Sequence, residues 1–213
     1  ITPDIGGFSA EEGGNYTDGY TDNVPDVNCT ETFATVSALT SAASYKMAAG
    51  TTLCLADGTY HGLELDFGGQ GSANAKITIA AEHPGKAIID GGATQIDMSG
   101  QHVVLQGFVL KNGDLNYNVL ATRGNGNLVC NQCRVTEMTI TDMDGGSNSS
   151  SETRKWFEIY GSYNRFDHNW ISGKTSRGAL LIVDRTVPED ETFDPDNFEK
   201  DYAQIDYNYF GDR

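Results

Sequence analysis

Four segments of the chain share one pattern: Leu105-Gln106-Gly107-Phe108-Val109-Leu110, Val135-Thr136-Glu137-Met138-Thr139-Ile140, Phe166-Asp167-His168-Asn169-Trp170-Ile171 and Ile205-Asp206-Tyr207-Asn208-Tyr209-Phe210. Each opens on an apolar residue and closes on another five positions later. The openers lie 30, 31 and 39 residues apart, and the longest step carries the acidic stretch 188–201, which reads as a loop insertion. A repeat of this size with no helix inside the unit predicts the coils of a right-handed parallel β-helix. Each coil then buries its inward side chains on the coils above and below. Asn169 and Asn208 fall at equivalent positions and predict a stacked asparagine ladder.

Outward from the repeat, short β-rich runs broken by Gly, Asn or Asp fill the chain after Gly50: residues 52–55, 76–80, 87–89, 102–110, 135–141, 157–160, 164–171 and 179–183. Tight two-residue hairpins at regular spacing, the mark of a sandwich, are scarce. Before Gly50, residues Phe33, Val36, Leu39, Ala43 and Met47 recur at helical steps. Thr30 or Thr32 is placed to cap that helix and Gly50 to stop it. The helix is expected to close the N-terminal end of the coils, covering strand edges that would otherwise recruit other chains. The expected fold is therefore all-β, a right-handed parallel β-helix with an N-terminal capping α-helix. Residues 1–28 read as a loose arm and residues 29–213 as the β-helix.

Charge and hydropathy remove several classes of function. With 14 basic against 30 acidic residues the net charge is −16, which is the wrong sign for nucleic acid or an anionic membrane. No apolar run of about 18 residues is present to span a bilayer. An enzyme this acidic that works on a polyanion needs Lys and Arg concentrated in its cleft, or a bound cation. The first residue is Ile1, with no basic or apolar leader, so the chain reads as a mature secreted or periplasmic product. Sequons at Asn15, Asn28 and Asn148 fit an extracellular surface.

The four cysteines, Cys29, Cys54, Cys130 and Cys133, allow three pairings. The preferred one is Cys29–Cys54 with Cys130–Cys133. No second close pair of Cys or His accompanies Cys130 and Cys133, which argues against zinc.

Several phrases resemble the opening coils of polysaccharide lyase family 6, which contains alginate lyases and chondroitinase B. They are Leu55-Ala56-Asp57-Gly58-Thr59-Tyr60, residues 77–85 (ITIAAEHPG), residues 103–108 (VVLQGF), residues 164–181 (NRFDHNWISGKTSRGALL) and residues 204–211 (QIDYNYFG). The resemblance covers roughly residues 29–213, and its second half is nearer to the alginate lyases. It implies β-elimination beside a uronate carboxylate. That chemistry needs the carboxylate charge neutralised, a base for the C5 proton and a donor for the leaving O4. Family members use calcium, a Lys and an Arg for these roles. All of them lie on coils after the segment matching 204–211, so the catalytic residues and calcium ligands are expected beyond Arg213, on a remaining C-terminal piece of the same polypeptide. The partner expected is an acidic polysaccharide such as alginate. A non-catalytic β-helix that binds polysaccharide, or an adhesin, is the alternative.

Lys174, Arg177 and Arg185 place three of the 14 basic residues within 12 positions and are the candidate contacts to uronate carboxylates. Pairing with Asp184 or Asp190 is the competing role. His168, between Asp167 and Asn169, reads as a hydrogen-bonded structural histidine. Tyr160, Tyr163, Tyr207 and Tyr209 read as stacking aromatics. Asp194, Asp196, Glu199 and Asp201 lack the glycine turn and terminal Glu of a calcium loop and read as a solvated acidic loop.

Overall fold

In the computed structural model the described residues are 24, 26–115, 117–124, 126, 128–145, 154–184 and 202–211. Most of the N-terminal arm, Arg185 and the acidic residues 188–201 lie outside them. The chain winds as a parallel β-helix with three sheets, each coil passing from the first sheet to the third and then to the second. The first sheet stacks Glu31–Phe33, Thr52–Leu55, Ile77–Ala81, Val103–Gln106, Arg134–Thr136, Arg165–Asp167 and Gln204–Asp206. The third stacks Gly58–Tyr60, Ala87–Asp90, Val109–Lys111, Thr139–Thr141, Trp170–Ser172 and Tyr209–Phe210. The second is built on Leu63–Gln70, Thr94–Gln101, Leu120–Ala121, Phe157–Ile159 and Leu181–Val183.

Register turns the sequence repeat into columns. The segment openers pair as Leu53↔Ile79↔Leu105↔Val135↔Phe166↔Ile205 in the first sheet. The closers pair as Ile89↔Leu110↔Ile140↔Ile171↔Phe210 in the third. Opener and closer sit on different sheets because a corner residue with positive φ separates them. That residue is Gly107 (φ 82°), Glu137 (54°), His168 (54°) or Tyr207 (52°). Apart from Ile205 and Phe210 on the last described coil, which are exposed, the inward columns, with Leu65, Ile96, Leu120 and Phe157 from the second sheet, form one continuous buried cluster.

The asparagine ladder is present. Asn169 Oδ1 accepts the Met138 amide at 2.9 Å, and Asn208 Oδ1 accepts from the Asn169 amide and side chain, both at 3.0 Å. A second buried asparagine at another corner, Asn164, accepts from Cys133 N and donates to Cys130 O, both at 2.8 Å. Such bonds satisfy backbone groups that the turns leave without strand partners.

The N-terminal helix is shorter than its sequence period implies. It spans Val36–Ala42, and its cap is Thr35, whose hydroxyl accepts from Ala38 N at 3.2 Å, rather than Thr30 or Thr32. Residues Glu31–Phe33 leave the helical pattern because they add a parallel strand to Thr52–Leu55. Sheet hydrogen bonds there outweigh a weak local helix preference. Leu39 is buried against the first coil, so the helix covers that end of the core as expected. Disulfides join Cys29 to Cys54 and Cys130 to Cys133.

Candidate functional site

After Trp170–Ser172, Gly173 turns the chain with φ +77°, where an added Cβ would lie 2.2 Å from Asp142 Oδ1. Residues 174–180 then loop out before re-entering the second sheet at Leu181. One carboxylate from the preceding coil organises this loop. Asp144 accepts from Thr175 N (2.6 Å), Ser176 N (2.6 Å), Ser176 Oγ (2.8 Å) and Trp156 Nε1 (2.8 Å). Burial by itself would raise the Asp144 carboxyl. The hydrogen bonds from Ser176, Trp156 and Thr175 outweigh it and hold the group below the usual carboxylate range.

Lys174 turns its ammonium inward on the same loop, donating to Ser176 O (2.9 Å), Ser176 Oγ (2.6 Å) and Arg177 O (3.3 Å). The Arg177 carbonyl also accepts from Arg154 N at 2.8 Å. The Arg177 side chain is exposed and forms no ion pair among the described residues. Ile171, Ser172, Lys174, Gly178, Leu180 and Gly211 line an open pocket beside the loop. Of the three predicted carbohydrate contacts, Lys174 and Arg177 thus share one loop, and Arg185 lies outside the described residues.

The outer face of the second sheet adjoins this loop. Its register sets Asp66↔Asp97↔Ala121↔Glu158↔Ile182 in one outward row. Burial raises the Asp97 carboxyl, the Gln95 hydrogen bond opposes this, and the charges of Asp66 and Glu158 add to the rise. Glu158 shows the opposite balance. Burial raises it, but Lys155 at 2.6 Å and Asn118 at 2.9 Å bring it down. Burial, then the charge of Glu158, push the Tyr160 phenol up to about 12, even with the Arg123 guanidinium 4.0 Å from its ring centroid. A phenol at that value is a poor base near neutrality. Arg123 is delivered by an antiparallel excursion, Arg123–Gly124 against Leu128–Asn131, that interrupts this coil of the second sheet.

The other sequence candidates among the described residues pack on neighbouring side chains. His168 Nδ1 lies 2.7 Å from the buried Asp167, and its ring stacks on Tyr207 at 5.0 Å. Tyr163 stacks on Tyr202 at 4.8 Å and Trp170 on Tyr209 at 3.9 Å. Tyr160 is the exception, packed under Arg123 rather than in a tyrosine stack. Among the described residues one trio of metal-type donors converges, Asp57, Glu82 and His83, at the corner between the first and third sheets. An imidazole in a trio of surface donors does not fit a hard, oxygen-seeking calcium ion, and no step is derived through one. Asp144 and Trp156 were not legible as site residues. Neither residue falls in a repeat segment or in the basic cluster.

These features define a parallel β-helix with a cationic loop tied by hydrogen bonds at the edge of one sheet. The sequence profile of the chondroitinase B family matches residues 34–213, and the chain belongs to that family. The alginate lyase AlyGC, of polysaccharide lyase family 6, is 30% identical with a TM-score of 0.64, over 71% of this chain and 21% of its own. A mannuronic acid specific family 6 lyase from the human gut microbiota is 23% identical, with a TM-score of 0.70 over 86% of this chain and 41% of its own. The family 6 polysaccharide lyase Pedsa3628 from Pseudopedobacter saltans is 16% identical, with a TM-score of 0.57 over 86% and 47%. The last two bear on the fold alone. The chain spans between a fifth and a half of the length of these three structures. The comparison with curated proteins gives no match.

Proposed function

We propose that this chain is part of a secreted lyase that cleaves alginate, a uronate-containing acidic polysaccharide, by β-elimination. The observation that carries the reading is the family match over residues 34–213, with AlyGC, an alginate lyase, 30% identical. Arg177, exposed on its anchored loop, and Arg185 supply charge for substrate carboxylates, with Lys174 bracing the loop. This local concentration answers the net charge of −16, which by itself would repel a polyanion. By the same family resemblance, calcium and the Lys and Arg of catalysis belong to coils after 204–211, and no proton transfer is assigned to a residue of this chain. Two disulfides fit a compartment outside a reducing cytosol, and no helix among the described residues is long and apolar enough to cross a membrane.

The test is to incubate the complete polypeptide with alginate and, in parallel, with dermatan sulfate, following the ultraviolet absorbance of unsaturated uronate. A rise with alginate is expected. A rise with dermatan sulfate alone would move the substrate to a glycosaminoglycan. Binding to alginate without any rise would replace the lyase by a non-catalytic polysaccharide-binding module.

A further inference from the structure

We propose that Asp144 is a positioning residue for substrate binding, its carboxylate holding the 174–178 loop so that the Arg177 guanidinium is presented to a uronate carboxylate. The inference rests on the reading of the protein as a polyuronate lyase. The loop has little of its own to order it. Thr175, Arg177, Gly178 and Ala179 are exposed, and no residue from 173 to 180 belongs to a strand. Apolar burial therefore does not fix its shape. Hydrogen bonds do, and four of them converge on one group. Asp144 is 7% exposed and takes two backbone amides, two hydroxyls and one indole N–H. Burying an anion is costly, and it is tolerated where its lone pairs are all engaged.

The arrangement also leaves a particular residue outside the network. Ser176 is buried, Lys174 is turned back onto the Ser176 and Arg177 carbonyls, and the Arg177 carbonyl is held by both Lys174 and Arg154. The backbone of Arg177 is thus fixed while its guanidinium stays exposed. A fixed backbone under a free Arg head lowers the ordering cost of a bidentate contact to a carboxylate. Asp144 would act on binding of substrate and transition state alike, and so on KM rather than kcat.

The experiment measures steady-state cleavage of alginate and calorimetric binding of an alginate oligosaccharide, using the complete polypeptide. Asp144→Asn is expected to raise KM and Kd about fivefold with kcat within about twofold, the size of losing one charge-assisted bond network to a loop. Arg177→Ala is expected to raise them about tenfold, and the double variant no further, because Asp144 works through Arg177. Ser176→Ala, a milder break of the same network, should shift KM in the same direction and serves if Asp144→Asn does not fold. Multiplying effects in the double variant, or an unchanged KM and Kd in Asp144→Asn with only a lowered Tm, would overturn the positioning role. A wild-type protein that neither cleaves nor binds alginate would instead overturn the functional reading beneath it.

Discussion

Removing the Asp167 carboxylate should unfold this protein more readily than almost any other single change, and the structure sets the size of the effect. Asp167 is 0% exposed, and Arg134 and Arg165 beside it are each 1% exposed. It accepts from Arg134 Nε at 2.8 Å and from Arg134 Nη2, bonds His168 Nδ1 at 2.7 Å, and lies 3.6 Å from Arg165 Nε. Arg165 is also held by Asp206, at 3.1 and 2.9 Å, so the larger loss falls on Arg134. Taking one partner out of a buried ion pair costs about 3–5 kcal/mol, because the remaining charge keeps its desolvation penalty. Asp167→Ala should therefore lower the urea unfolding free energy by that amount, followed by tryptophan fluorescence and by circular dichroism. Replacing the pair together, Arg134→Met with Asp167→Leu, should restore most of it, since the Arg134 charge goes with its partner and the buried Arg165 keeps its pair with Asp206. The same group gives a pH signature. Burial alone would raise its pKa, but the hydrogen bonds from Arg134 and His168 and the charges of Arg134 and Arg165 outweigh it and hold the carboxyl low. A depressed folded-state pKa adds stability that is present above the unfolded value of about 4 and disappears as pH falls through the folded value. Wild type should lose stability steeply on acidification, and Asp167→Ala should show a shallower loss. A penalty under about 1 kcal/mol for Asp167→Ala, or parallel acid curves, would refute the reasoning.

Two further outcomes follow from close stacking and from the cross-link at the N-terminal end. Gly161 has φ +82°, and an added Cβ would lie 2.1 Å from Cys130 O, whereas Gly126 has φ +73° with nothing within 4 Å. Gly161→Ala should cost well over 2 kcal/mol and Gly126→Ala only about 1 kcal/mol, measured by urea unfolding; equal penalties would show that coil contact is not the cause. The Cys29–Cys54 disulfide closes a separation of 25 residues. A variant with both cysteines changed to Ala should unfold about 3 kcal/mol more easily, and an unchanged midpoint would deny the cross-link a stabilising role.

How much could be read from sequence differs between core and site. The coil period, the buried column of Leu105, Val135 and Phe166, the register of Ile205 with it, and the Asn169–Asn208 ladder were all legible, because a β-helix repeats the same pattern every 30 or so residues. The two longest strands, Leu63–Gln70 and Thr94–Gln101, were missed although their signal was present. Leu63-Glu64-Leu65-Asp66-Phe67 alternates buried and exposed, but its Gly68-Gly69 ending imitates a loop. The helix boundary was misplaced because pairing of Glu31–Phe33 with a strand some twenty residues later overrides local period. Composition singled out Lys174 and Arg177, yet their different roles were decided by the tertiary structure. Lys174 closes its own loop, and the loop that carries Arg177 is bonded to Asp144, which is 31 residues before Thr175 in the chain and one coil away in space. Burial patterns repeat and so are written along a sequence. A contact between one side chain and the backbone amides of the next coil depends on register and turn geometry, and it exists only once the coils have stacked.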